Sequence, residues 1–154
     1  MESSIQRRVL IVANRTAATP ELLDVVRRYA REQPTTFALL IPDAPKGRHA
    51  DWTLELALPL LERAARRPVV GLTGTSGDPV DAVRTAIAEG NYDRVIVSTL
   101  PRRVSKWLRR DLPKRVEELG VPVEVVTPAG RDRPRELFAD AERSGLPPAG
   151  LGGV

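Results

Sequence analysis

The stretch "STLPRRVSKWLRRDLP", residues 98–113, concentrates Arg102, Arg103, Lys106, Arg109 and Arg110 between two prolines, with Asp111 as its one acid. Guanidinium groups grip phosphate oxygens through paired N–H donors, so this spacing admits a phosphate-binding loop. It equally admits a nucleic-acid patch, or the solvated face of a helix. Val104, Trp107, Leu108, Leu112, Val116 and Leu119 share one helical stripe, which assigns the indole to packing and not to base stacking. Pro113 divides the stretch, because it disfavours the α conformation at Leu112 and removes a hydrogen bond to the Arg109 carbonyl. With Asp111 as N-cap and Pro113 in the first turn, a long fourth helix starts at Leu112 and its N-terminus points at what the preceding loop surrounds.

Other candidates are weaker. "GLTGTSGD" (71–78) leads into a helix N-terminus and could cradle an anion, yet the same residues suit a plain strand-to-helix turn, which is the expectation. His49 lies beside Arg48 in a polar loop with no partner in view. With no cysteine and a single histidine, the chain lacks a thiolate metal site, a histidine-rich metal site and a cysteine nucleophile. There is no G-x-S-x-G, P-loop lysine, H-E-x-x-H or complete G-x-G-x-x-G. The sequence therefore predicts no catalytic residue, no metal and no cofactor.

These loops need elements to position them. "RRVLIVAN" (7–14) is an apolar run without polar alternation, as a strand covered on both faces requires. "TPELLDVVRRYA" follows with Thr19 as N-cap and Pro20 at the first helical position. "TTFALLIP" (35–42) is the second strand, and "DWTLELALPLLERAAR" the second helix, where Pro59 marks a kink or the true start. "PVVGLT" (68–73) is the third strand. "GDPVDAVRTAIAEG" then supplies a helix with Asp78 as N-cap, Asp81 in a capping-box position and Gly90 as stop. "DRVIVST" (93–99) and "VPVEVV" (121–126) complete five strands, the last fit for a sheet edge. Strict alternation implies an α/β fold, a Rossmann-like doubly wound five-stranded parallel sheet with helices on both faces and ligands beyond the strands' carboxyl ends.

The 154 residues suit one domain, 1–126, followed by a C-terminal extension, 127–154, with a short amphipathic stretch around Leu137 and Phe138 and a Pro/Gly-rich end expected to be disordered. Hydrophobic content of 42% with only 4% aromatic predicts an aliphatic core. A net charge of +4 permits anionic partners without demanding them. Few aromatics and a short basic patch argue against a nucleic-acid partner. No run approaches a membrane span or a signal-peptide core, which points to no membrane partner and a cytoplasmic location.

"VLIVAN" with its polar loop, "GDPVDAVRTAI", "DRVIVST" and "VPVEVV" together make residues 7–126 resemble the universal stress protein family. The resemblance implies strand order 3-2-1-4-5 and a homodimer formed through the strand at 121–126. It also implies a crevice beyond strands one and four that binds ATP or AMP in some members. The residues falling on that crevice are Ala13, Asn14, Arg15, Leu40, Ser98, Thr99, Arg102, Arg103, Arg109 and Asp111. ATP-binding members carry Gly, two residues, Gly, nine residues, then Gly followed by Ser or Thr. Here Ser98 and Pro101 stand at the first two glycines. Counting on by nine sets Asp111 at the third; aligning the helix's apolar phase sets Asp111 at the Ser/Thr site and Arg110 at the third glycine. Both registers remove the backbone approach to phosphate that glycine allows, and a capping Asp111 would repel phosphate from the same amides.

The expectation is a non-catalytic regulatory or interaction domain, stress-response-like and homodimeric, with a crevice degenerate for ATP. The alternative is a binder of a nucleotide (AMP, ATP or a cyclic nucleotide) or a small anion, with Asn14 on base or ribose and the arginines replacing the glycine loop.

Overall fold

Apolar strands without polar alternation need cover on both faces, and the chain supplies it by alternating strands with helices. The computed structural model describes residues 6–14, 16–42, 48–74, 78–100 and 111–128. Its strands are β1 (Arg7–Val12), β2 (Thr35–Ile41), β3 (Val69–Thr73), β4 (Arg94–Ser98) and β5 (Val123–Val126). Between them run α1 (Pro20–Glu32), α2 (Arg48–Ala65), α3 (Pro79–Gly90) and α4 (Leu112–Glu117). Every pairing is parallel and the order is β3-β2-β1-β4-β5, the doubly wound sheet that the element pattern implies.

Alternation along each strand sorts the core into two layers. Val9, Ile11, Phe37, Leu39, Ile41 and Ile96 pack with Leu22 and Val26 of α1 and Leu61 of α2. Leu10, Val12, Ala38, Leu40, Val95 and Val97 pack on the other face with Val83 of α3 and Val116 of α4. Among the described residues the buried core is aliphatic except for Phe37 and Tyr29, as the composition predicts.

The helix ends show where the sequence reading holds. Thr19 caps α1, its hydroxyl accepting from the Leu22 N–H at 3.4 Å, and Asp78 caps α3, accepting from the Val80 N–H at 3.0 Å. Asp81, expected in a capping box, is hydrogen-bonded at 2.6 Å to Arg84 one turn on. The stop of α3 is Asn91 and not Gly90: Asn91 takes the left-handed conformation at φ 52° and returns its N–H to the Ile87 carbonyl. Gly90 is the last helical residue, and a Cβ there would lie 2.3 Å from the Tyr92 ring, so its role is close packing. Gly74 has a similar role, since a Cβ would lie 2.6 Å from Ala82 and 2.7 Å from the Pro42 carbonyl oxygen.

Three further boundaries are corrected. α2 begins at Arg48, so His49 belongs to its first turn and not to a loop, and Pro59 is interior rather than the start. Glu55 and Pro59 are exposed, which lets water satisfy the carbonyl that Pro59 cannot bond. α4 begins at Leu112 as expected but is short, ending at Glu117. The N–H groups of Leu119 and Gly120 bond three residues back and Gly120 turns at φ 96°, so the chain leaves the helix early. Val104, Trp107 and Leu108 of the expected stripe, and the C-terminal extension from residue 129 on, lie outside the described residues, while Leu112 and Val116 are buried.

Tyr29, at the end of α1, ties the helix to three strands. Arg7 of β1 lies over its ring at 4.4 Å and donates to its carbonyl at 2.8 Å. Its hydroxyl donates to Glu124 of β5 at 2.7 Å, and Arg94 of β4 donates to that hydroxyl at 3.3 Å. Arg28 donates to both Glu124 oxygens at 2.7 Å. Burial pushes the Tyr29 hydroxyl up, reinforced by Glu124. Burial also works to raise Glu124, but hydrogen bonds from Tyr29 and Arg28 outweigh it and hold the carboxyl below its ordinary range.

A carboxyl lowered on folding stabilises above its unfolded pKa and loses that contribution as pH falls through its folded value. Glu124→Gln should therefore cost about 1 kcal/mol at neutral pH after screening of the partly exposed pair, or roughly 2–4 °C in melting temperature. The gap should close as pH drops through and below the carboxylate range, read by melting curves against pH. A gap independent of pH would remove the charged pair as its cause.

Candidate functional site

The strand order reverses between β1 and β4. The chain leaving β1 turns to α1 on one face, and the chain after β4 leads to α4 on the other, so these carboxyl ends are where an open α/β sheet places its crevice.

Ala13 and Leu40, on adjacent strands, meet at its inner wall: the Ala13 N–H donates to the Leu40 carbonyl at 3.1 Å, and both residues are buried. Asn14 is half-buried just beyond, its carbonyl accepting from the Ala17 N–H at 3.3 Å. Backbone pairing of β1 with β4 stops at Val12 and Val97. Side chains then continue it. The Thr16 hydroxyl donates to the Ser98 carbonyl at 2.8 Å, and the Ser98 hydroxyl lies 3.1 Å from the Thr16 carbonyl and 2.9 Å from the Thr16 Oγ1. Thr16 and Ser98 are 4% and 1% exposed, so each hydroxyl is spent on clasping the loop after β1 to the end of β4. Thr99 is buried too, and its N–H extends the β4–β5 ladder to the Val126 carbonyl at 2.9 Å.

The structure thus brings together Ala13, Asn14, Leu40, Ser98 and Thr99 of the residues expected at the crevice. Arg15, Arg102, Arg103 and Arg109 lie outside the described residues. Ser98, expected to meet a ligand, has its hydroxyl turned into the clasp. Thr16 was not foreseen as its partner; hydroxyl residues just past the ends of two neighbouring strands are the signal that could have found it.

Asp111 stands at the N-cap position of α4 but does not cap it. Its backbone is left-handed at φ 55°, ψ 39°, and its carboxylate makes no capping hydrogen bond. Two causes combine: a capping side chain needs an extended N-cap backbone, and Pro113, at the second helical position, has no N–H to offer. The expected occupation of the helix amides by Asp111 is therefore corrected; its carbonyl accepts from Arg115 at 2.9 Å, and its side chain is exposed. A left-handed backbone is where glycine serves best. This agrees with the register that counts nine residues on from Pro101 and sets Asp111 at the third glycine.

Among the described residues no group of three or more His, Cys, Asp or Glu could hold a metal ion, and no helix is long and apolar enough to cross a membrane.

No family model matches the chain, and no curated protein matches it in sequence. Solved structures match its fold. The universal stress protein from Archaeoglobus fulgidus superposes with a TM-score of 0.55 at 14% identity, over 80% of this chain and 95% of that one. The universal stress protein from the same organism in complex with dAMP gives 0.52 at 14% identity, over 81% of this chain and 100% of that one. A universal stress protein in complex with cAMP gives 0.50 at 17% identity, over 80% of this chain and 98% of that one. By fold, this chain is a universal-stress-protein-like domain.

Thr16→Val keeps the shape and removes the donor to a buried carbonyl, which should cost about 2 kcal/mol, a fall of roughly 4–8 °C in melting temperature. Ser98→Ala added to it should cost less than its separate effect, a coupling that a double-mutant cycle reads. Asp111→Gly should leave the melting temperature unchanged or raise it by roughly 2–4 °C, since relief of the left-handed backbone offsets glycine's added unfolded-chain entropy. A clear fall would mean that the carboxylate caps the helix in solution.

Proposed function

We propose that this chain is a non-catalytic regulatory or interaction domain whose crevice is not built for a triphosphate. The observation that carries this reading is the Thr16–Ser98 clasp: where a glycine would let backbone amides approach phosphate, a buried side chain holds the neighbouring loop shut against the strand end. Asp111 adds to it, placing a carboxylate on the left-handed residue that opens α4. The chain would act through its surfaces, as a homodimer joined along β5. That strand is a sheet edge beside β4, and Val125 on it is 41% exposed.

A second reading keeps a nucleoside monophosphate in the crevice. The junction of Ala13 with Leu40 and the half-buried Asn14 could hold a base and ribose without the triphosphate loop. The neighbours in complex with dAMP and cAMP favour it.

Melting curves with ATP, AMP, dAMP and cAMP at millimolar concentration separate the readings, because a ligand bound only by the folded chain raises the melting temperature by mass action. None should shift it under the first reading. A shift with the monophosphates alone selects the second, and a shift of several degrees with ATP overturns the degenerate crevice. Sedimentation of the chain against Val125→Lys reads the dimer: the wild type should be dimeric and the variant monomeric.

A further inference from the structure

A parallel sheet gathers the amino ends of its strands and the carboxyl ends of its helices at one edge, opposite the crevice. At that edge the ends of α1 and α2 and the turns that follow them enclose a pocket of 530 Å³. Arg27, Arg31, Arg63, Arg66 and Arg67 line it, and no carboxylate does. Of the nearby described acids, one pairs with a lining arginine and two are engaged elsewhere. Asp24 pairs with Arg27 at 2.6 Å, Glu32 with Arg7 at 3.4 Å, and Glu62 accepts from the Val69 N–H at 3.0 Å. Among the described residues no carboxylate pairs with Arg31, Arg63, Arg66 or Arg67.

Basic residues in the last turn of a helix complement its dipole, and that accounts for Arg31 and Arg63. It does not account for Arg66 and Arg67, which lie past the end of α2. Arg66 holds a left-handed backbone at φ 60°, where glycine would sit without strain, and the chain places a guanidinium there instead. Like charges converging on a concavity repel one another until an anion joins them.

We propose that this pocket binds a small polyphosphate, an anion with two or more linked phosphate groups. A single phosphate is satisfied by two or three guanidinium forks, whereas Arg31, Arg63, Arg66 and Arg67, with Arg27 shared with Asp24, match a longer run of charge around one concavity. The volume lies in the range of small-ligand sites. No aromatic side chain lines the pocket, so it offers no stacking surface for a nucleic-acid strand. Thr35 lines the pocket and Leu40 the crevice wall, five residues on along β2, which separates the two by about 17 Å, so this site stands apart from whatever the crevice binds.

The test titrates the full chain with inorganic tripolyphosphate, pyrophosphate and monophosphate by calorimetry at fixed ionic strength. Tripolyphosphate should bind saturably, one per chain, at least about tenfold tighter than monophosphate, and more weakly as salt rises. Arg31→Ala/Arg67→Ala should weaken it by about tenfold or more, with Arg31→Lys/Arg67→Lys intermediate. Arg84→Ala, which removes the partner of Asp81 on the opposite face, should change nothing. The melting temperature of each variant without ligand reports its folding. Equal binding of mono- and tripolyphosphate, or wild-type affinity in a folded Arg31→Ala/Arg67→Ala variant, would overturn the site. A single-stranded oligonucleotide that binds more tightly than tripolyphosphate through the same arginines would overturn it in favour of a nucleic-acid surface.

Discussion

The molecule hangs on β1. Its residues Val9, Leu10, Ile11 and Val12 are wholly buried, hydrogen-bonded to β2 on one side and β4 on the other, and packed on both faces. A strand so enclosed has no freedom to slip, because a shift by one residue would exchange its two sets of side chains between the layers. Everything that leaves its end inherits that fixity. Ala13 is still buried, Asn14 is half out, and Thr16 turns back to clasp Ser98 where backbone pairing has run out. The crevice is thus a consequence of topology, while its chemistry is set by a few residues past the strand ends.

The two edges of the sheet use polar groups in opposite ways. At the carboxyl edge the hydroxyls of Thr16 and Ser98 are neutral, buried and mutually satisfied. At the amino edge charge prevails. Arg7, Arg28 and Arg94 surround Tyr29, with Glu124 as the acid that makes their convergence tolerable. The network joins α1 to β1, β4 and β5, and so pins an edge strand of only four residues that packing alone holds weakly. Among the described residues Arg31, Arg63, Arg66 and Arg67 have no such acid, and that difference sets them apart from a brace.

Local signals were legible in the sequence; pairings between distant residues were not. Thr19 and Asp78 announce their helices because a cap acts over two or three residues. The parallel α/β sheet follows from alternation and the handedness of crossovers, while its strand order is what the resemblance to universal stress proteins implies. Asp111 shows the limit. Its position opening α4 was readable, but the left-handed backbone that withdraws its carboxylate is not written in the residue type. The Thr16–Ser98 clasp spans 82 residues, and the hydroxyls at the two strand ends signal it only once the strands are known to be neighbours. The basic run at 102–110 drew attention by density, whereas Arg31 and Arg67 lie far apart in the chain and meet only because a parallel sheet brings helix ends to one edge.

This division also explains how the fold can be plain while its function must be argued. Aliphatic side chains substitute for one another inside a two-layer core with little change in shape, so the sheet stays superposable at 14–17% identity. Residues past the strand ends carry no such tolerance. A side chain such as Ser98 or Asp111 leaves every strand in place and still decides which groups face the crevice, whereas glycine there would offer bare backbone. Likeness of fold therefore transmits the position of a site but not its ligand. At the amino edge the fold transmits even less, because the sheet requires helix ends to meet there but does not require that arginines stand on them.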